Sequence, residues 1–120
     1  MKRLLLAAAL LLAPGAVFAA DFSGAWTIHG DIGGSIQWTS ACALKQDPSS
    51  GALTGTCKGT TNEDAAATGL VTGTKVTSAY DTTYQGSPVH VAYTGDVQAD
   101  GTVKGAVDTG GPAGTFTLTK

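Results

Sequence analysis

The chain has 120 residues, among them 17 glycines, with 7 Lys and Arg against 9 Asp and Glu and a formal net charge of −2. This is the length of one domain, and so few basic residues, without a run of them, exclude a nucleic-acid partner because nothing neutralises the phosphates. Hydrophobic residues make up 42% of the chain, too many for a disordered protein, so we expect one compact globular domain.

The first predicted element is a secretory signal peptide over residues 1–19. Two basic residues precede the apolar segment Leu4–Leu12, and small residues follow before the expected cleavage after Ala19, with cleavage after Ala20 as an open alternative. The apolar segment is shorter than the roughly 20 residues that span a bilayer, so we expect no membrane anchor after processing. The remaining single domain, residues 20–120, is expected in the periplasm or outside the cell.

Eight β-strands and no helix are predicted after the signal peptide. Apolar and polar residues alternate, Thr and Val are abundant, and Gly, Asp or Pro interrupts the pattern every eight to twelve residues. Because these interruptions are turn sequences, consecutive strands are expected to be antiparallel neighbours. The predicted strands are Phe22–His29, Ser35–Gln46, Ala52–Gly59, Thr68–Thr74, Lys75–Tyr84, Pro88–Ala99, Thr102–Asp108 and Gly114–Thr119.

Cys42 and Cys57 are the two cysteines of the chain. In an exported protein the default expectation is that they form a disulfide. The turn between the second and third strands supports this pairing, because Cys42 falls opposite Cys57 if Asp47 pairs with Ala52. Residues directly opposed on antiparallel strands are close enough for such a bond.

One face of the predicted sheet is apolar and has to be covered. Without a helix, eight consecutive antiparallel strands favour an all-β up-and-down meander barrel, which also removes exposed edges. The residues expected inside are Phe22, Trp26, Ile28, Ile36, Trp38, Cys42, Leu44, Leu53, Cys57, Val71, Val76, Tyr80, Val89, Val91, Tyr93, Val97, Val103, Val107, Phe116 and Leu118. Glycines of the same parity either support closure or mark turns and bulges; they are Gly24, Gly55, Gly73, Gly95 and Gly105.

The segment Phe22–Trp26 contains a Gly-x-Trp motif that resembles the opening strand of the calycins, the lipocalin and avidin-like barrels. Gly51–Thr56 looks like the third-strand segment of the avidin family. The resemblance covers most of the mature chain and implies a calycin-type eight-stranded barrel in a small exported bacterial protein. Biotin binding is not implied, because Cys57 and Gly59 stand where avidins have a ligand-contacting tyrosine and serine.

Aromatic residues are the candidate ligand contacts. Trp26 is expected to plug one end of the barrel. Trp38 has inward parity and is expected in the core or on a cavity wall, where its ring and its N–H can both contact a ligand. Tyr80, Tyr84 and Tyr93 are expected to converge near one mouth of the barrel, the alternative being that each hydroxyl reaches solvent or a backbone carbonyl.

Catalysis and metal binding are not predicted. The sequence lacks Gly-x-Ser-x-Gly, His-Glu-x-x-His and other motifs with a known mechanism. His29 and His90 have outward parity and no ligand spacing from the cysteines, so we expect surface histidines, no metal and no cofactor. The segment Thr60–Thr68 lacks strand character and is expected to be a loop over a barrel mouth or an unordered linker.

Two functions remain open at this stage. The first is a binding module for a small, mainly apolar ligand, contacted by Trp38, Tyr80, Tyr84 and Tyr93. The second is an exported inhibitor of a protease or a lysozyme, since the Gly-x-Trp start is similar to that of small metalloprotease inhibitors with a one-disulfide barrel. A cavity of about 300 Å³ or more beside these aromatics favours the first function, and a filled interior with an exposed apolar rim favours the second. The sequence identifies neither the ligand nor the oligomeric state.

Overall fold

The structure, a computed structural model, describes residues 22–120, and the expected signal peptide lies outside the described residues. This part of the chain contains eight strands and no helix. The strands are β1 (Gly24–Ile32), β2 (Ile36–Gln46), β3 (Ala52–Lys58), β4 (Asp64–Thr72), β5 (Lys75–Tyr84), β6 (Ser87–Val97), β7 (Val103–Asp108) and β8 (Gly114–Thr119).

Every strand pairs antiparallel with the next, and β8 pairs with β1, so the sheet closes into a barrel. The prediction of an all-β, eight-stranded up-and-down barrel is therefore confirmed. In the closing pair, Ile28 is opposite Leu118 and Gly30 is opposite Phe116. Closure satisfies the backbone groups that an open sheet would leave unpaired at its two edges.

The disulfide is formed as predicted. Cys42 and Cys57 are opposite each other in the pairing of β2 with β3 and are bonded through their sulfurs. The turn sets this register, because the Asp47 N–H donates to the Ala52 carbonyl over 2.8 Å. The two cysteines are 15 residues apart. On the chain-entropy account, a loop of that length gives roughly 3 kcal/mol of stabilisation.

The strand β4 begins four residues earlier than predicted, at Asp64. The connection from β3 is only residues 59–63, so the predicted loop Thr60–Thr68 is wrong over its second half. Ala65 and Ala67 are buried at inward positions of β4 and continue its pairing with β3. Alanine is a weak strand former, and for that reason the alternation in this segment carried little signal.

The core contains the inward face that parity predicted. The buried members of that face are Phe22, Trp26, Ile28, Cys42, Leu44, Leu53, Cys57, Val71, Val76, Tyr80, Val91, Tyr93, Val103, Val107, Phe116 and Leu118. Trp38, Val89 and Val97 are partly buried against this core. Ile36 was also expected inside but is 36% exposed, because it lies at the first position of β2, beside the turn.

Two of the inward-parity glycines allow β6 and β7 to approach closely. Gly95 and Gly105 are opposite each other, and a Cβ on Gly95 would lie 2.9 Å from the tip of the Phe116 ring. The missing side chains thus make room for a core aromatic from β8. Gly73 differs from this expectation, because it lies in the turn between β4 and β5 with a φ of +61°. For Gly73, the alternative expectation of a turn position is therefore confirmed.

The two ends of the barrel are unlike, and we call them the closed end and the open end. The closed end carries the β2–β3, β4–β5 and β6–β7 turns, and β1 begins and β8 finishes there. Phe22 and Trp26 fill it, with ring centroids 5.2 Å apart and the Trp26 Nε1–H donating to the Phe22 carbonyl over 2.9 Å. Lys120 covers them from outside, its Nζ lying 5.3 Å from the Trp26 ring centroid and donating to the Ser23 carbonyl over 3.1 Å.

Candidate functional site

A cavity of about 430 Å³ lies at the open end of the barrel. Its wall comes from β1, β2, β3, β5 and β6 and from the β3–β4 and β7–β8 connections. Most of the wall is hydrocarbon or aromatic, and its main apolar contributors are Ile32, Ile36, Trp38, Tyr84, Val89 and Val91. A volume of this size falls within the range of small-molecule pockets.

The cavity lies beside a part of β5 and β6 where the inward side chains are short. Tyr93 and Phe116 fill the middle of the barrel and pack edge to face, with ring centroids 4.9 Å apart. Beyond them, Thr82 of β5 and Val89 and Val91 of β6 line the cavity with short side chains. In the closed half, by contrast, the space between the core side chains around Cys42 and Leu53 is only about 20 Å³.

Three aromatic residues from β2, β5 and β6 form the bottom of this space, and we call Trp38, Tyr80 and Tyr93 the aromatic floor. The Trp38 Nε1–H donates to the Tyr93 hydroxyl over 3.2 Å, and the Tyr80 and Tyr93 hydroxyls are 3.1 Å apart. The two tyrosine rings are stacked with centroids 6.0 Å apart. Trp38 and Tyr80 line the cavity, whereas Tyr93 lies among the core residues of the closed half. The floor therefore divides the packed half from the hollow half.

The buried hydroxyl of Tyr93 is held in its neutral form. Burial is the main cause that raises its pKa above the ordinary value, and the neighbouring Tyr80 raises it further. The Trp38 N–H has the opposite effect on this pKa, but a smaller one. Tyr93 thus contributes a neutral hydroxyl to the aromatic floor.

Gly30 on β1 sets the position of Trp38. The two residues are opposite each other in the pairing of β1 with β2. A Cβ on Gly30 would lie 2.3 Å from Trp38 Cζ2, so the indole lies flat over a position that only glycine can occupy. Sequence reasoning missed this residue. The signal was present in principle, since Gly30 has inward parity and follows Ile28 on the same face.

The β3–β4 connection is fastened to β5 by one carboxylate, an arrangement we call the Glu63 clasp. Glu63 Oε2 accepts from the Thr82 hydroxyl over 2.9 Å. Glu63 Oε1 accepts from the Thr61 N–H over 3.0 Å and from the Thr61 hydroxyl over 2.6 Å. Thr60 adds two bonds to β5, from its N–H to the Thr82 hydroxyl over 3.1 Å and from its own hydroxyl to the Thr83 carbonyl. The connection is thus folded against the cavity mouth.

These bonds also set the acidity of Glu63. The Thr61 hydroxyl, then the amide of Glu63 itself and the Thr82 hydroxyl, lower the pKa of this carboxyl to about 2. The clasp is therefore in its charged, hydrogen-bonded form at neutral pH. Sequence reasoning could not find it, because Glu63 and Thr82 are 19 residues apart and belong to no motif.

The structure brings together three of the four predicted ligand contacts and separates the fourth. Trp38, Tyr80 and Tyr93 are joined by hydrogen bonds in the aromatic floor. Tyr84 lies at the rim, where its ring lines the cavity while 45% of the residue is exposed. The deep contacts and the rim contact therefore differ in their access to water.

The two histidines lie on the outer wall of the barrel. His29 is exposed on β1, and His90 is exposed on β6 with its Nδ1 2.7 Å from Asp81 Oδ1 on β5. Over residues 22–120, no three His, Cys, Asp or Glu side chains are grouped so as to hold a metal ion. The same part of the chain has no helix with the length and apolarity needed to cross a membrane.

In comparisons with protein-family models, with curated proteins and with solved structures, nothing matches this chain. The candidate site is accordingly defined by its own geometry. It is a mainly apolar cavity with an aromatic, hydrogen-bonded floor and a mouth bordered by a fastened loop.

Proposed function

We propose that this protein is an exported binding module that holds a small, mainly apolar ligand in the cavity at the open end of the barrel. One observation carries the proposal: a space of about 430 Å³ lies next to Trp38, Tyr80 and Tyr84 in a barrel whose other half is packed. Such a space exposes apolar wall to water, and a ligand that covers this wall gains roughly 25 cal/mol for each Å² of apolar surface removed from water.

The wall is already ordered without a ligand, which lowers the cost of binding. Trp38 is fixed by Gly30 beneath it and by its hydrogen bond to Tyr93. The mouth is fixed on one side by the Glu63 clasp, whose hydrogen bonds connect residues 60–63 to β5. A ligand therefore does not have to order these side chains on entering, and the usual entropy loss of about 0.5–1.5 kcal/mol for each immobilised side chain is avoided.

The cavity gives less support to a protein-binding inhibitor. That function requires an exposed apolar patch of several hundred Å² at a rim. Among residues 22–120, the large hydrophobic side chains exposed at the open end are Ile36 and Tyr84, and both turn part of their surface into the cavity. The third exposed one, Leu70, lies on β4 near the other end.

Export to the periplasm or beyond forms part of the proposal. The Cys42–Cys57 disulfide is consistent with an oxidising compartment. We further propose that the barrel is of the calycin type, on the basis of its closed eight-stranded meander and of Trp26 at the end where β1 begins.

Native mass spectrometry of the protein isolated from its exported fraction tests the proposal. We expect a retained small molecule, released on unfolding, with a stoichiometry of one per chain. The matched pair of variants is Val89→Trp, which fills the cavity, and Ala106→Trp, which places the same side chain on the exposed outer face of β7. The first variant is expected to lose the molecule and the second to keep it.

The opposite results would count against the proposal. A molecule retained equally by both variants would place binding outside the cavity. An empty native protein that also takes up none of the apolar probes named below would refute ligand binding at this site.

A further inference from the structure

The aromatic floor has one hydrogen-bond donor left over. The Tyr93 hydroxyl accepts from the Trp38 N–H, which cannot accept in return. Among residues 22–120, the other hydrogen-bond partner of Tyr93 is the Tyr80 hydroxyl. The Tyr93 proton therefore goes to the Tyr80 oxygen, since a buried hydroxyl that kept its proton unpaired would lose a hydrogen bond. The hydroxyl proton of Tyr80 is then directed away from Tyr93, toward the cavity that Tyr80 lines.

The buried polar side chains near the floor, Thr82 and Ser40, are already engaged. The Thr82 hydroxyl donates to Glu63 and accepts from the Thr60 N–H. The Ser40 hydroxyl, which is buried, donates to the Lys58 carbonyl over 2.7 Å. The Trp38 N–H is used by Tyr93. Among the buried hydroxyls that line the cavity in residues 22–120, those of Tyr80 and Thr82, the Tyr80 hydroxyl is thus the one left to donate to a ligand.

The charge of the wall disfavours an anionic ligand. Of the described residues that line the cavity, Lys58 is the charged one, and its Nζ lies 2.7 Å from Asp64 Oδ1. A carboxylate placed at the floor would lose its hydration and meet no unpaired cation, which is costly.

We infer that the ligand is an uncharged, mostly hydrocarbon molecule with one acceptor oxygen, such as a ketone, aldehyde, ester or ether, which receives the Tyr80 hydroxyl proton at the floor. This inference rests on the proposed function and adds a chemical class to it. The hydrocarbon part of the ligand faces Ile32, Val89 and Val91, and its oxygen points toward the aromatic floor.

The test compares three probes of similar shape: benzophenone, diphenylmethane and diphenylacetate. Benzophenone and diphenylmethane differ only in a carbonyl in place of a methylene group. Binding is followed by titration of the Trp38 indole N–H signal in NMR spectra, with the Trp26 signal at the closed end as an internal reference. One net hydrogen bond corresponds to a preference for benzophenone over diphenylmethane of about three- to tenfold. Diphenylacetate is expected to bind most weakly.

The variant Tyr80→Phe removes the donor and retains the ring. We expect it to bind benzophenone and diphenylmethane equally, and we expect the carbonyl stretch of bound benzophenone to move to higher frequency than in the unaltered protein. Tyr84→Phe is the matched control, because it removes a hydroxyl at the rim; it should keep both the preference and the carbonyl frequency. Thermal unfolding of each variant verifies that the barrel is intact.

The outcomes separate the inference from the proposed function. If the unaltered protein binds the two neutral probes equally, or if Tyr80→Phe keeps the preference, the role of Tyr80 is refuted while ligand binding stands. If diphenylacetate binds best, the uncharged class is wrong. If none of the probes binds, the proposed function itself fails, and the inference fails with it.

Discussion

The two ends of this barrel use tryptophan in opposite ways. At the closed end, Trp26 is stacked on Phe22 and its N–H is bonded to a backbone carbonyl four residues away. At the open end, Trp38 is partly buried, and its N–H is bonded across the barrel to the hydroxyl of Tyr93. A local backbone partner fixes a plug, whereas a distant side-chain partner connects a cavity wall to the core. One end is built for stability, and the other keeps an ordered surface open.

The largest effect that this comparison predicts is on the free energy of unfolding when each tryptophan is truncated. Trp26→Ala is expected to cost about 3–5 kcal/mol, because it opens a cavity in packed surroundings. Trp38→Ala is expected to cost about half as much, because Trp38 is less buried and already borders a cavity. Denaturant titration measures both values. Equal losses of unfolding free energy in the two variants would show that the closed end is not packed more tightly around its tryptophan than the open end.

The disulfide provides the next comparison, because its sulfurs belong to the packed half. Cys42 lines the small space of the closed half and is opposite Trp26 in the pairing of β1 with β2. The double variant Cys42→Ala/Cys57→Ala is expected to lose roughly 3 kcal/mol of stability. Its affinity for benzophenone should stay within about twofold of the original, which corresponds to less than 0.5 kcal/mol. Calorimetry checks both quantities, and a large loss of affinity would contradict the separation of the two halves.

Gly30→Ala is expected to weaken ligand binding as well as stability, unlike the double cysteine variant. Its Cβ would overlap the Trp38 ring, so the indole must move and its bond to Tyr93 must lengthen or break. We expect a loss of about 1–3 kcal/mol of stability, together with weaker benzophenone binding and a shifted Trp38 N–H signal. Gly111→Ala is the control, since Gly111 borders the cavity but a Cβ there has no atom within 4 Å. An unchanged Trp38 signal in Gly30→Ala would refute the positioning role of Gly30.

The smallest predicted effect concerns the Glu63 clasp at acid pH. The pKa of this carboxyl is lowered to about 2 in the folded barrel, from an ordinary value of 4.5. Because the folded value is the lower one, the stabilisation from the clasp is complete above pH 4.5 and is lost as the pH falls through about 2. The side-chain carboxyl signal of Glu63 in NMR spectra should titrate with a midpoint near 2, and exchange of the Thr61 amide should become faster over the same range.

Glu63→Gln provides the control for this titration. It should remove the pH dependence of the Thr61 amide protection factor below pH 4.5, that is, of the exchange rate relative to an unprotected amide at the same pH. The turns of the closed end should be unaffected, because the lowered pKa of Asp100 there is due to Thr102. A Glu63 midpoint close to 4.5 would mean that the clasp does not form in solution.

The topology of the barrel could be predicted from the sequence because each of its determinants is local. Alternation of apolar and polar residues identified most of the strands, and the turn after Asp47 set the register that brings Cys42 to Cys57. The start of β4 at Asp64 could not be predicted, since three successive alanines favour a strand only when a neighbouring strand is already in place.

The candidate site was less predictable than the fold. Parity placed Trp38, Tyr80 and Tyr93 inside the barrel, but the volume of the cavity depends on where each side chain stops along the axis. The hydrogen bonds of the floor depend on the direction of the Trp38 ring, which is set by Gly30 on another strand. The Glu63 clasp depends on a connection meeting β5 in space. These are properties of the closed barrel, so the sequence pattern of one strand does not contain them.

The position of residues 22 and 120 has a practical consequence. Both lie at the closed end, where Lys120 reaches over Trp26 to the carbonyl of Ser23. A tether attached through the exposed Lys120 would hold the molecule by its sealed base and leave the opposite opening facing the solution. Molecules immobilised on a sensor chip in this way would share one orientation, with every cavity mouth facing the solution.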